Sequence, residues 1–137
     1  MKNLFKCFYV IFMFSCTVNS NDSSSFEINE DNKYEKISLN LIIDSPKRYD
    51  SIDLKTSGIF VFEYENVALY KDKISALLND RKNAIWVEFN SSSSYKSSEL
   101  KKLNNRRVFL VGRFNSKRKG HLSKYKGQLN TNEILLK

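Results

Sequence analysis

The stretch from Ile52 to Tyr64 constrains the fold more than any other part of this chain. Ile52, Leu54, Thr56, Gly58, Phe60, Phe62 and Tyr64 recur at a spacing of two, and Ile59 and Val61 are apolar between them. Successive side chains of a strand point to opposite faces, so period two marks a half-buried strand. Apolar residues at consecutive positions mark a segment covered on both faces. One long strand therefore leaves solvent and enters a core. Gly58 stands at its middle, where a missing side chain permits a sharp bend or bulge. Such a strand needs partners, and the rest of the chain supplies them. Glu65-Asn66 reads as a turn and Val67 to Tyr70 as the returning strand. Ala84 to Phe89 is a third strand, Val108 to Phe114 a fourth with Gly112 inside it, and Tyr125 to about Leu136 a fifth.

Three short helical stretches fall between these strands. Ile37 to Ile43 is apolar and stops at Asp44-Ser45-Pro46, because proline biases the residue before it away from helix. Asp72 to Leu78 forms a helical turn with Ile74, Leu77 and Leu78 on one side, ended by Asn79-Asp80. Ser97 to about Asn104 follows a loop of Asn90 and four serines. The order strand, strand, strand, short helix, strand, strand is that of the OB-fold, a five-stranded, partly open barrel. The expected fold class is all-β with short helices, as a single OB-like barrel domain over residues 34–137. Those 104 residues suffice for one domain that buries roughly two-thirds of its unfolded surface.

The runs Leu41-Ile42-Ile43-Asp44-Ser45-Pro46-Lys47-Arg48-Tyr49-Asp50, Thr56-Ser57-Gly58-Ile59-Phe60, Asn66-Val67-Ala68-Leu69-Tyr70, Lys82-Asn83-Ala84-Ile85-Trp86-Val87 and Leu110-Val111-Gly112-Arg113-Phe114-Asn115, closed by Lys119-Gly120-His121, are specific in combination. They resemble a family of small uncharacterised bacterial proteins that are exported or lipid-anchored and carry an OB-like barrel. That family has no assigned activity, so the resemblance implies fold and compartment only. The family has Asp-Gly before the first strand where this chain has Asp50-Ser51, so the tight turn there lacks its glycine.

The N-terminus has the three parts of a secretory signal. Lys2 and Lys6 form a positive region, Leu4, Phe5 and Phe8 to Phe14 an apolar one, and small polar residues follow at Ser15, Thr17 and Ser20. The apolar run falls short of the roughly 20 residues that span a bilayer. Residues 1–20 are thus expected to be a signal segment and the mature protein to work outside the cytoplasm. Two cleavage schemes fit. Ser15-Cys16 followed by a Ser/Asn-rich tract matches a lipoprotein cut before Cys16, which would carry the lipid. Ordinary cleavage after Ser20 gives a soluble periplasmic or secreted protein. The first is preferred because acylation gives an exported cysteine a purpose. Residues 21–33, rich in Ser, Asn, Asp and Glu, then read as a disordered tether.

Composition limits the chemistry. The two cysteines, Cys7 and Cys16, both lie in or beside the signal, so the folded region has none to oxidise or to ligate with. With a single histidine, Cys/His metal sites are excluded, and no cofactor motif appears. His121 would have to serve any Ser-His-Asp arrangement, and no Gly-x-Ser-x-Gly turn accompanies it. Glu63 and Glu65 lie at a strand end, where two exposed acids of a hairpin are the simpler account.

Charge is the remaining signal. The net charge of +8 hides an uneven distribution, since residues 101–137 hold eleven bases against Glu133 alone. Lys117, Arg118, Lys119, Lys124 and Lys126, with His121, form a basic cluster in and just after one loop. The plainer reading is a solubilising surface. The functional reading is an anion-binding face. Aromatics interleaved with bases on an OB barrel suit single-stranded nucleic acid, but an exported protein rarely meets it. Anionic lipid, an acidic glycan or an acidic protein fits the compartment better. Most strand aromatics, Trp86 among them, are expected to fill the barrel. The expected function is a non-enzymatic binding module of the cell envelope, held at the membrane by a lipid anchor. The alternatives are a small hydrolase using Glu63, Glu88 or His121, and an accessory subunit of an envelope complex.

Overall fold

A computed structural model describes residues 33–136. The signal segment, Cys16 and the tether up to residue 32 lie outside the described residues. The chain runs β1 (Glu35–Lys36), α1 (Leu39–Asp44), β2 (Asp53–Glu63), β3 (Asn66–Tyr70), α2 (Lys73–Leu77), β4 (Ala84–Phe89), α3 (Ser97–Lys102), β5 (Arg106–Asn115) and β6 (Gln128–Leu136), with single 3-10 turns between. The strands form one sheet in the order β1-β2-β3-β4-β6-β5, and β2 also pairs with β5, which closes five of them into a ring. Strand content dominates, and the whole is one small domain.

The expected count of five strands is corrected to six. The additional strand, β1, is two polar residues pairing in parallel with Leu54 and Lys55. It carries no apolar alternation by which to be found. Elsewhere the pattern was sufficient: β4 occupies the expected residues, and β2 begins and ends within one residue of expectation. The fifth ring strand starts later than expected, at Gln128, and Tyr125 precedes it in the loop.

The alternation of β2 has two destinations. Leu54, Phe60, Leu69, Ile85, Val108, Leu110, Phe114 and Leu129 fill the ring interior, capped by Leu39, Ile42 and Ile43 of α1 and Leu100 of α3. Ile59, Val61, Ala68, Tyr70, Ala84 and Tyr125 form a second buried layer outside β2, β3 and β4. Trp86 packs half-buried against that layer, so the expectation that it fills the barrel is corrected.

Gly58 marks a close approach. A Cβ there would lie 2.5 Å from the Tyr70 carbonyl and 2.8 Å from Leu39 Cδ2, so only glycine lets α1 settle on β2. The apolar side of α2 faces solvent. Ile74, Leu77 and Leu78 are 70%, 83% and 70% exposed, and the helix buries Ser75 and Ala76 instead. Small side chains are what fit above a layer already filled by Tyr70 and Tyr125. The turn before β2 forms without its glycine. Ser51 adopts φ 62, and its N–H donates to the Phe114 carbonyl at 2.8 Å.

Candidate anion-binding site

The basic loop joins β5 to β6 and is tied down along its length. Ser116 donates from its backbone N–H at 2.8 Å and from its hydroxyl at 2.9 Å to Asp50 Oδ1. Those bonds hold the half-buried Asp50 carboxyl below its ordinary pKa. Asn115 Oδ1 accepts from the N–H groups of Lys117 and Arg118 at 2.9 and 3.0 Å, a side-chain turn that starts the loop. Gly120 then passes over the indole at φ +62. A Cβ there would stand 2.5 Å from Trp86 Cβ and Cγ. Leu122 and Ser123 follow at φ 53 and 52. A bulky residue in that left-handed region carries a steric cost, so the loop conformation is imposed by its surroundings.

Tyr125 closes the loop. Its ring meets Trp86 edge-on with centroids 5.3 Å apart, and the Arg81 guanidinium lies 5.7 Å from its centroid. Its hydroxyl donates to Asn66 Oδ1 at 2.9 Å, which also accepts from the Tyr70 hydroxyl at 2.9 Å. Asn66 Nδ2 in turn donates to Asn79 Oδ1 at 2.8 Å. One buried asparagine thus joins β3, the segment after α2 and the basic loop. Burial holds both phenols above their ordinary pKa of 10.0.

The six expected site residues are not brought to one place. Lys117, Lys119 and Lys126 line a single cleft of about 530 Å³ with Pro46, Lys47, Asp50 and Ser116. Lys124 faces a different hollow, shared with Arg81, Lys82 and Ser123. Arg118 is exposed and lines neither. His121 Nε2 lies 3.4 Å from Glu65 Oε2, at the tip of the β2–β3 hairpin. Lys47 was missed because it sits about 70 residues upstream. Backbone bonds between Ile52 and Phe114, and from Ser51 to Phe114, carry the Pro46–Tyr49 turn to this side of the ring. Four ammonium groups therefore share a cleft whose lining includes one carboxylate, one oxygen of which accepts both Ser116 bonds.

The residues of the hydrolase alternative lie apart. Glu88 Oε2 accepts from Trp86 Nε1 at 3.1 Å, Glu63 is exposed at the end of β2, and His121 faces Glu65. None of the clefts described above is lined by Glu63, Glu88 or His121. Among the described residues, no three or more His, Cys, Asp or Glu side chains group to hold a metal ion. No family model matches the chain, and no curated protein matches it either.

Proposed function

We propose that the protein is a non-enzymatic binding module of the bacterial cell envelope: an OB-like barrel, held at a membrane through Cys16, that takes anionic ligands on its basic face. The observation that carries this reading is the cleft of Lys47, Lys117, Lys119 and Lys126. Like charges gathered around one depression repel each other, and an anion compensates them. Asp50, whose Oδ1 accepts both Ser116 bonds, offsets only one of the four charges. The ligand classes that suit this compartment are anionic lipid head groups, acidic glycans and acidic proteins.

Three features support the OB-like assignment. The ring order runs β2-β3-β4-β6-β5 and back to β2, β4 pairs with β6 in parallel, and α3 lies between β4 and β5 in the chain. OB barrels bind ligands on their second and third ring strands and adjoining loops. Here those strands are β3 and β4, and their outer side is filled by Tyr70, Trp86 and Tyr125. The loops remain as the contact surface, which again selects the β5–β6 loop.

Binding of the protein to anionic vesicles or a polyanion resin tests the reading. Adsorption at low salt should fall steeply toward physiological ionic strength, where the screening length is about 8 Å. Replacing Lys117, Lys119 and Lys126 by Ser should remove most of it and leave the melting temperature nearly unchanged. Replacing Arg118 and Lys124 by Ser should remove less. Equal loss in both variants would reduce the cluster to a diffuse positive surface. Cys16→Ser should abolish lipid labelling and release the protein from the membrane fraction.

A further inference from the structure

We propose that a second basic cleft, built by Lys36, Lys71 and Arg107, binds a phosphate-type oxyanion. It shares no lining residue with the β5–β6 loop cleft, so it stands independently of the function proposed above. Its volume is about 520 Å³, and its floor is Ile37 and Leu39. The three cations come from the end of β1, the residue after β3 and the start of β5, and the chain brings them together only on folding. Gly58 is the reason that they meet. By admitting Leu39 against β2, it seats the start of α1 beside Ser57 and leaves a depression rather than a filled surface.

The lining is suited to an oxyanion. No carboxylate is part of it, whereas Asp44 and Asp72 line the neighbouring hollow on the far side of Lys71. Among the described residues Arg107 enters no ion pair. Lys36 has its ammonium 5.0 Å from the Phe109 centroid, a cation–π contact that leaves its hydrogen-bond donors available. Ser38 precedes α1 without making a side-chain capping bond, so its hydroxyl also remains available. A guanidinium fork with two ammonium groups and hydroxyl donors matches the tetrahedral oxygens of phosphate, which accept bidentate, charge-assisted bonds. The phosphate can belong to a lipid head group or to a soluble phosphate compound.

The test is a titration of the isotopically labelled protein with inorganic phosphate at constant ionic strength, followed by amide NMR. Saturable shifts at Ser38, Asn40, Ser57 and Arg107 are expected, fitted separately from any at the β5–β6 loop. Lys36→Gln with Lys71→Gln should weaken the apparent affinity by at least about tenfold, as loss of charge-assisted bonds implies. Arg107→Lys should weaken it several-fold while keeping the charge, because the fork is lost. These cations lie on the surface, so unchanged melting of each variant certifies the comparison. Competition separates the sources: phosphatidylglycerol vesicles that displace inorganic phosphate indicate a head group, and their failure to do so a soluble compound. Shifts that follow ionic strength rather than phosphate, or that survive both sets of substitutions, overturn the proposal.

Discussion

The ring interior and the layer outside β3 and β4 are both built on aromatic rings, yet different forces hold them. The interior sets Phe60 and Phe114 among leucine, isoleucine and valine, with Phe60 meeting Phe89 edge-on at 6.2 Å. It has little polar content, and Thr56 Oγ1, buried in β2, is without a hydrogen-bond partner. The outer layer uses tyrosines, and every one of its buried hydroxyls ends on Asn66. An apolar core loses stability in proportion to the volume removed, whereas a polar one fails when a single acceptor is lost. The interior therefore holds the ring, and the outer layer holds the loops in register with it.

The largest expected effect is in the interior. Phe114→Ala should cost about 3–5 kcal/mol in chemical denaturation, the range for deleting a buried aromatic ring. A loss below about 1 kcal/mol would mean that the interior is not the packed region of the molecule. Asn66→Ala comes next. It leaves two buried phenols unsatisfied, at about 1–3 kcal/mol each before relaxation. Amide exchange in Gly120 to Tyr125 should accelerate with it, and exchange in β5 should not. Equal acceleration in both would erase the distinction between the regions. Trp86→Ala should cost about 2 kcal/mol, less than a core ring, because the indole is half-buried.

Alkaline titration separates the same two regions without mutation. Burial raises the Tyr70 and Tyr125 values above 10.0, so folding favours the neutral phenols. Their contribution is fully present below the unfolded value near 10 and is lost as pH rises through the folded values. Absorbance at alkaline pH should show these two phenols ionising above the ordinary value, together with release of the loop. The smallest expected effect is a gain. Ser51 holds φ 62 at the edge of the interior, so Ser51→Gly should raise stability by about 1 kcal/mol with no change in binding.

Much of the ring was legible because its signals are local. Alternation gave β2, β4 and β5 nearly to their ends, and Pro46 placed the end of α1. What stayed hidden depends on contacts distant in sequence. β1 is recognised only by its partner, β2. The helical spacing of Ile74, Leu77 and Leu78 was correct as a helix, but which side it buries was decided by the tyrosines beneath it. The candidate site behaved in the same way. Five cations close in sequence were drawn to separate places by the turns at Asn115 and Gly120, while Lys47 joined from another segment. The cleft of Lys36, Lys71 and Arg107 had no sequence signature, since its members are separated by 35 residues or more.

The seating of Gly120 on Trp86 gives the molecule a built-in optical gauge. Trp86 is the sole tryptophan, and its indole touches both Gly120 and the Tyr125 ring. Emission excited at the red edge therefore comes from one place, the underside of the basic loop. Any ligand that lifts or tightens that loop alters the polarity around a single fluorophore, and one that binds elsewhere leaves the spectrum still. The wild-type chain can thus report occupancy of its own loop, unlabelled and in the presence of vesicles or polymers.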